Sequence, residues 1–337
     1  MSATVSIGDG RAGASRPARA AGGRAAVTAV ALHAGQLLVV AVIVVLLTFL
    51  MVRVAPGDAV DAISGTHGTD ATRAALRAEL HLDDSLPRQF TAYIGGLAQG
   101  DLGRSLVQQG RDVDAIIAAR LPVTLTVIAG TIVLGCLIAI PLGLLAALAP
   151  WRGTDTGVRT LLSLLLASPP FFLGLLLILG PALALGWFPA GGWPDAWPEN
   201  LRYMVLPSLA LAGFLVPQVA RSVRQAALDA QREQWYEAAL ARGLSSRTLA
   251  LRHVLANSLL PVVTLVGLNI GALIAGAVVV EAVFGLPGIG QELLSAINQR
   301  DYPLIQGIVI VTALIVVLSN LLADIAYRIV DPRTGRG

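Results

Sequence analysis

The chain contains no lysine; all 24 of its basic residues are arginine. A phosphate-binding loop of the G-x-x-x-x-G-K-[ST] type puts its lysine on the β- and γ-phosphates of a nucleotide. No such loop can form here, so any Walker-type use of ATP must sit on another polypeptide. Cysteine is nearly missing too. Cys136 lies alone in an apolar run, which excludes a disulfide within the chain and reads as a small apolar filler. His33, His67, His81 and His253 are scattered without metal-ligand spacing, and no nucleophile–base set accompanies them. No metal, cofactor or catalytic residue is therefore expected, and the chain does not read as an enzyme. Charge is also scarce, at 13% of 337 residues, against about 25% in ordinary soluble domains. With 55% hydrophobic residues and a mean hydropathy of +0.73, the excess apolar surface needs a bilayer as its solvent.

What is present are long apolar runs. A bilayer core of about 30 Å takes about 20 apolar residues of helix. Six segments qualify, at roughly 32–54, 122–149, 158–186, 204–224, 259–284 and 304–327, so the expected fold is an all-α membrane protein of six spans. Pro141, Pro169, Pro170, Pro181, Pro207 and Pro217 fall inside them. Each would cost about 3 kcal/mol in a soluble helix, but a packed membrane bundle can satisfy the freed carbonyls. Residues 1–31 carry Arg11, Arg16, Arg19 and Arg24 among Gly, Ala and Ser, and read as a disordered cytoplasmic tail. The apolar run from Leu37 to Val52 is followed by Arg53 and Ala-Pro-Gly-Asp rather than a small-x-small cleavage site, which favours a retained first span over a signal peptide.

Arginine placement orients the spans. With the N-terminus inside, 15 arginines fall in inner segments and 8 in outer ones, with Arg53 at the outer end of the first span. Both termini are then cytoplasmic, 328–337 being a short inner tail. The outer segment 55–121 is the one sizeable part outside the bilayer. Asp70 to His81 reads as a short amphipathic helix, and Phe90, Tyr93, Ile94 and Leu97 are spaced for a second. So small a segment is expected to pack on the bundle rather than stand alone.

The inner stretch 225–258 is the most informative. Six arginines lie between residues 221 and 252, and they read as a positive-inside anchor on anionic lipid, with some free to pair with acidic groups of a partner. Helix formers run from Ser222 to Ala241, Gly243 stands where a helix C-cap is expected, and Ser245 or Ser246 can cap the next helix. The expectation is helix, tight turn, helix.

Glu237-Ala238-Ala239, three further residues and Gly243 resemble the EAA-x-x-x-G signature of permease subunits of binding-protein-dependent ABC importers. Arg252, His253, Leu255, Asn257, Leu259 and Pro261 resemble the R-H-x-L-x-N-x-L-x-P run of the dipeptide, oligopeptide and nickel branch. Arg53 to Asp58, Gly100 to Ser105, Val280, Glu281 and Phe284 with Pro287 to Gly290, Asn298 to Pro303, and Asp324, Tyr327 and Asp331 to Arg333 resemble further stretches of that branch, so the likeness covers about residues 35–334. It implies a type I importer fold with its core over 122–327. It implies a coupling helix at Glu237, Ala238, Ala239, Arg242, Gly243 and His253 seated on an ATPase subunit. A second, homologous permease, two ATP-binding subunits and an extracytoplasmic substrate-binding protein are implied as partners, in a bacterial inner membrane, with no nucleic acid. ATP hydrolysis would belong to the partner.

Other residues carry two readings each. Glu281, at the outer end of an apolar span, reads as a functional ionisable group or as a carboxylate bonded to the Gly285–Gly290 loop. Pro169-Pro170 is a tolerated kink or a break that shapes the translocation path. Asp324 and Arg328, four apart, read as a structural pair or an interface anchor. Trp187, Trp193 and Trp197 read most simply as an interfacial belt, with recognition of substrate as the second reading. An ion-coupled transporter is the rival class, but it would usually place ionisable groups near mid-bilayer; Arg53, Glu281 and Asp324 all lie near span ends. Peptides lead as cargo, with nickel, metal chelates and glutathione-like compounds open.

Overall fold

The computed structural model describes residues 42–50, 84–108, 110–148, 152–249 and 254–330, with Gly35 and Val39. Helices make up nearly all of it: α1 (Leu86–Ala98), α2 (Val113–Leu148), α3 (Arg152–Ala167), α4 (Pro170–Leu177), a π-helical turn Ile178–Ala184, α5 (Asn200–Gln231), α6 (Gln234–Ala241), α7 (Ser246–Leu249), α8 (Leu255–Phe284), α9 (Ile289–Gln299) and α10 (Tyr302–Val330). The chain is an all-α membrane protein. Among the described residues, four helices are long and apolar enough to cross a bilayer: Val113–Leu148, Asn200–Gln231, Pro261–Phe284 and Tyr302–Ala323. The bent pair Gly153–Ala167 and Pro170–Ala184 makes a fifth if it counts as one broken span. Most of the first expected span, and the stretches 51–58 and 70–81, lie outside the described residues.

α5 is the axis of the bundle. It buries fifteen residues, from Leu206 to Ala230, and α2 packs along it more extensively than any other pair of helices. Small residues bring the two together, as they do between membrane helices generally. At Gly143 an added Cβ would meet the Ala220 carbonyl oxygen at 2.6 Å. Two buried hydroxyls fasten the middle: Ser208 Oγ donates to the Val127 carbonyl at 3.0 Å, and Thr131 Oγ1 to that of Ser208 at 3.3 Å. Pro122, Pro141, Pro207, Pro217 and Pro261 sit inside helices that run on through them.

Three differences from the sequence expectation have physical causes. First, α2 begins at Val113 rather than near residue 122. Its first turns bury Val113, Ile116 and Ile117 against α9 and α10, so tertiary packing, not lipid, holds them. Second, the run 158–186 is not one straight span. It breaks after Ala167, and Gly153–Ala167 meets Pro170–Ala184 at 105°. Pro169 has no N–H to continue α3, and it takes extended backbone with ψ 145. Third, α5 ends at Gln231 and α6 starts at Gln234, so the helix formers from Ser222 to Ala241 make two helices with Glu233 extended between them (ψ 140).

The ends of the bundle differ. At one end, here the loop end, the close of α2, α3, the last turns of α5, Tyr236 and Leu249 share an apolar cluster. At the other, the clasp end, Val113, Ile289, Ala296, Leu304 and Ile308 share a second one. The expected helix around Phe90 and Leu97 is α1. It packs on the bundle: Phe90 and Tyr93 lie 4.9 and 5.9 Å from the Phe49 ring, and Gln306 Nε2 donates to the Thr48 carbonyl at 2.9 Å. Around the bundle, Leu137, Leu164, Leu183, Leu268 and Leu322 point outward, the apolar exterior that lipid requires.

Candidate functional site

The loop end presents an exposed turn around Glu237 to Gly243. Tyr236 is the anchor of α6, 7% exposed and packed among Val158, Leu162, Ala227 and Ala230. With Tyr236 turned in, helical geometry turns Glu237 and Ala238 outward, and both are exposed. Leu240, one turn beyond Tyr236, is exposed as well, whereas Ala239 is half-buried against the cluster. Gly243 ends the helix with φ +84, a left-handed value that suits glycine. The Gly243 N–H donates to the Leu240 carbonyl at 2.9 Å and the Leu244 N–H to that of Ala239 at 3.2 Å. Ser245, rather than Ser246, caps the next short helix: its Oγ accepts from the Thr248 N–H at 3.2 Å. Arg242 is exposed on the turn. His253 lies outside the described residues.

The exposed surface also includes three apolar residues that the sequence reading passed over, Trp235, Leu240 and Leu244. Their signal was available: large apolar residues flank a Glu-Ala-Ala triplet in a polar, arginine-rich loop. Beneath the turn the chain is tied down. The Arg224 Nε and Nη2 donate to the two Asp155 carboxylate oxygens at 2.8 and 2.9 Å, a bidentate pair between α5 and α3. Gln231 Nε2 donates to the Ala147 carbonyl at 3.3 Å, which ties the end of α2 to the same place.

The three candidate path or gate residues are not together. Pro169 and Pro170 form the elbow between α3 and α4, with Pro169 exposed. Beyond the elbow α4 lies tight against α5 and α8; at Gly174 an added Cβ would meet the Phe284 ring at 3.1 Å. Glu281 is at the clasp end, 0% exposed. Its carboxylate accepts from Thr124 Oγ1 at 2.5 Å, from the Gly290 N–H at 2.7 Å and from the Gln291 N–H at 3.1 Å. Thr124 Oγ1 in turn accepts from the Ile289 N–H at 2.9 Å. The unpaired amides that open α9 are thus closed by α2 and α8, with the anion at the positive end of the helix dipole. Gly288 and Gly290 make room for that carboxylate, since a Cβ on either would run into it.

Two further carboxylates repeat the pattern, and the sequence reading singled out neither as a site. Asp301 accepts from Ser105 Oγ and, at 3.1 Å, from the Leu106 N–H. Glu292 accepts from Gln108 Nε2 at 2.5 Å and pairs with Arg120 Nε at 3.2 Å. The stretches 100–105 and 298–303, each read from the sequence as a separate motif, are therefore two sides of one joint. The tryptophans are nearby in sequence but distinct: Trp187 and Trp197 are exposed, and Trp193 is half-buried against Phe284 and its neighbours. The Asp324 and Arg328 side chains lie outside the described ones.

A helical bundle with an apolar exterior, a turn held out at one end and a locked polar joint at the other is a polytopic membrane protein of the transporter kind. Residues 139–336 match the family of binding-protein-dependent transport system inner membrane components, and residues 30–128 match that family's N-terminal region. The chain belongs to this family. It is 36% identical over 295 residues to the oligopeptide transport system permease protein AppB of Bacillus subtilis, with 86% of this chain and 93% of that protein covered. Against the di/tripeptide transport system permease protein DppB of Pseudomonas aeruginosa it is 34% identical over 314 residues, again covering 86% and 93%. Against the glutathione transport system permease protein GsiC of Salmonella typhimurium it is 36% identical over 290 residues, with the same coverage. The chain is thus a permease of the peptide branch of ABC importers, a family that works with a separate substrate-binding protein.

Proposed function

We propose that this chain is one of two permease subunits of an ATP-driven peptide importer, and that the exposed turn Glu237–Gly243 is where a separate ATPase subunit grips it. The observation that carries this reading is the turn itself: Tyr236 is buried as an anchor while Glu237, Ala238, Leu240, Arg242 and Leu244 face outward. Such a surface, part apolar and part charged, suits a groove on a partner. Ala239 permits close approach, and His253 belongs to the same coupling segment, 225–258.

In this reading the loop end faces the cytoplasm with both termini, and the clasp end faces the binding protein. Residues 1–31 are a cytoplasmic tail, 32–54 the first span, 55–121 the outer segment and 122–327 the transport core. A homologous second permease and two ATPases complete the assembly. The chain performs no covalent step. ATP binding moves the turn, and the bundle switches between two packings of different stability toward inside and outside. The elbow at Pro169-Pro170 shapes the path, and Glu281 sets the outer loop that borders it. The names of the similar permeases favour a short peptide as cargo; glutathione, itself a tripeptide, is the second reading, supported by the likeness to GsiC.

The test is uptake of a labelled tripeptide by vesicles holding the assembled importer. Gly243→Pro, or a bulky residue at Ala239, is expected to abolish uptake while the permease still inserts. Unimpaired uptake in either variant overturns the coupling assignment. Uptake that survives on an ion gradient without ATP overturns the ABC reading altogether.

A further inference from the structure

We infer that Asp155 and Arg224 are positioning residues for energy coupling: their bridge clamps α3 to the base of the exposed turn, so that displacement of the turn is carried through the elbow to α4. The inference rests on the coupling reading above and adds the route by which movement at the turn reaches the core.

Asp155, Val158 and Leu162 lie at i, i+3 and i+7 of α3, on one face. Val158 and Leu162 are buried in the cluster that holds Val223, Ala227 and Tyr236. Asp155 continues that face into the Arg224 fork, with side-chain exposures of 26% and 25%. Apolar packing alone lets two helices slide, because it has no direction. A two-bond fork fixes orientation as well as distance, and a lysine could not supply it. The same base is held to α2 by Gln231. The helices therefore divide their neighbours: α3 packs chiefly on α5 and α2 at the loop end, whereas α4 packs on α5 and α8. Between them lie Ser168, Pro169 and the 105° turn. A rod clamped at one end and bent at the other converts a shift of the turn into a tilt of α4 against Phe284 and Val283. A bridge that only strengthens the fold would leave the exchange rate between ATP and cargo untouched, and that separates the two roles.

The experiment uses the complete importer in vesicles, with ATP hydrolysis and labelled tripeptide uptake measured together. Asp155→Asn and Arg224→Gln are expected to keep the binding-protein-stimulated hydrolysis near the parent value and to raise the ATP spent per peptide by about tenfold. The exchanged pair, D155R with R224D, is expected to bring that ratio back toward the parent. A short bifunctional thiol linker joining D155C to R224C, in a C136S background, is expected to preserve coupled uptake, because the clamp stays closed through the cycle. An unchanged ratio in both single variants overturns the inference, and so does loss of uptake on linking. Should a single variant not assemble, the linked pair decides. If instead Gly243→Pro leaves uptake intact, it is the coupling reading that has failed, whatever the bridge does.

Discussion

The two ends of this bundle treat their polar groups in opposite ways. At the clasp end, Glu281, Asp301 and Glu292 are buried, and hydroxyls, backbone N–H groups and an amide close around their oxygens. At the loop end, Glu237 and Arg242 stand exposed on a short helix fixed by Tyr236 beneath it. A buried donor or acceptor left without its partner costs about 1–3 kcal/mol, and a charged one more. The clasp geometry is therefore fixed by the penalty for disturbing it. The turn carries no such penalty on its outer face, where water satisfies what the chain does not. The clasp uses its polar residues to hold a shape; the loop end uses Asp155, Arg224 and Gln231 beneath the turn to hold one, so that the polar residues on the turn's outer face stay available.

The sharpest way to break this contrast is at Glu281. Glu281→Ala leaves the Thr124 hydroxyl and the Gly290 and Gln291 amides without their acceptor. The permease is expected to lose about 3 kcal/mol or more, seen as a large fall in the thermal unfolding temperature of the detergent-purified protein, or as failure to accumulate. Parent-like stability would show that the clasp is not the rigid end. Ser105→Ala should be milder. It removes the hydroxyl from Asp301, which keeps the Leu106 backbone N–H, and leaves the Gln108 backbone N–H, which donates to Ser105 Oγ at 2.9 Å, without its acceptor. A loss of about 1–2 kcal/mol is expected by the same measurement, and an effect as large as that of Glu281→Ala would mean that the joint fails as a unit rather than bond by bond.

These two ends were not equally legible in the sequence. The turn was, because its determinants are local: Gly243 needs its left-handed backbone within the motif that names it, and Ser245 caps a helix that begins one residue later. Most spans were legible too, since hydropathy is a property of consecutive residues. The clasp could not be read so directly. Thr124 and Glu281 are 157 residues apart, Gln108 and Glu292 184, Ser105 and Asp301 196, and no periodicity relates them. The sequence reading did leave open that Glu281 bonds to the Gly285–Gly290 loop, and the structure places it on the Gly290 and Gln291 amides and on Thr124 from another helix as well. The 105° elbow fell between these cases. Pro169-Pro170 marked the place, but prolines at 141, 207 and 217 sit in unbroken helices, so proline alone could not say where a helix would turn.

The smallest expected effect on stability belongs to Glu237, and there the contrast is tested most finely. Its side chain is exposed in the first turn of α6, where a carboxylate gains only the few tenths of a kcal/mol that a helix N-terminus offers. Glu237→Ala should therefore change stability by no more than about 0.5 kcal/mol, the usual range for a surface substitution. If the outward face exists for a partner, the same variant should weaken retention of the ATPase subunit when the importer is purified through the permease, and lower uptake with it. Stability and assembly then part company at Glu237, whereas at Glu281 they fall together. A Glu237→Ala permease that melts far below the parent would place this residue with the clasp carboxylates, as a holder of shape. One that melts normally and retains its ATPase fully would remove Glu237 from the contact surface and leave the turn to its apolar residues, Trp235, Leu240 and Leu244.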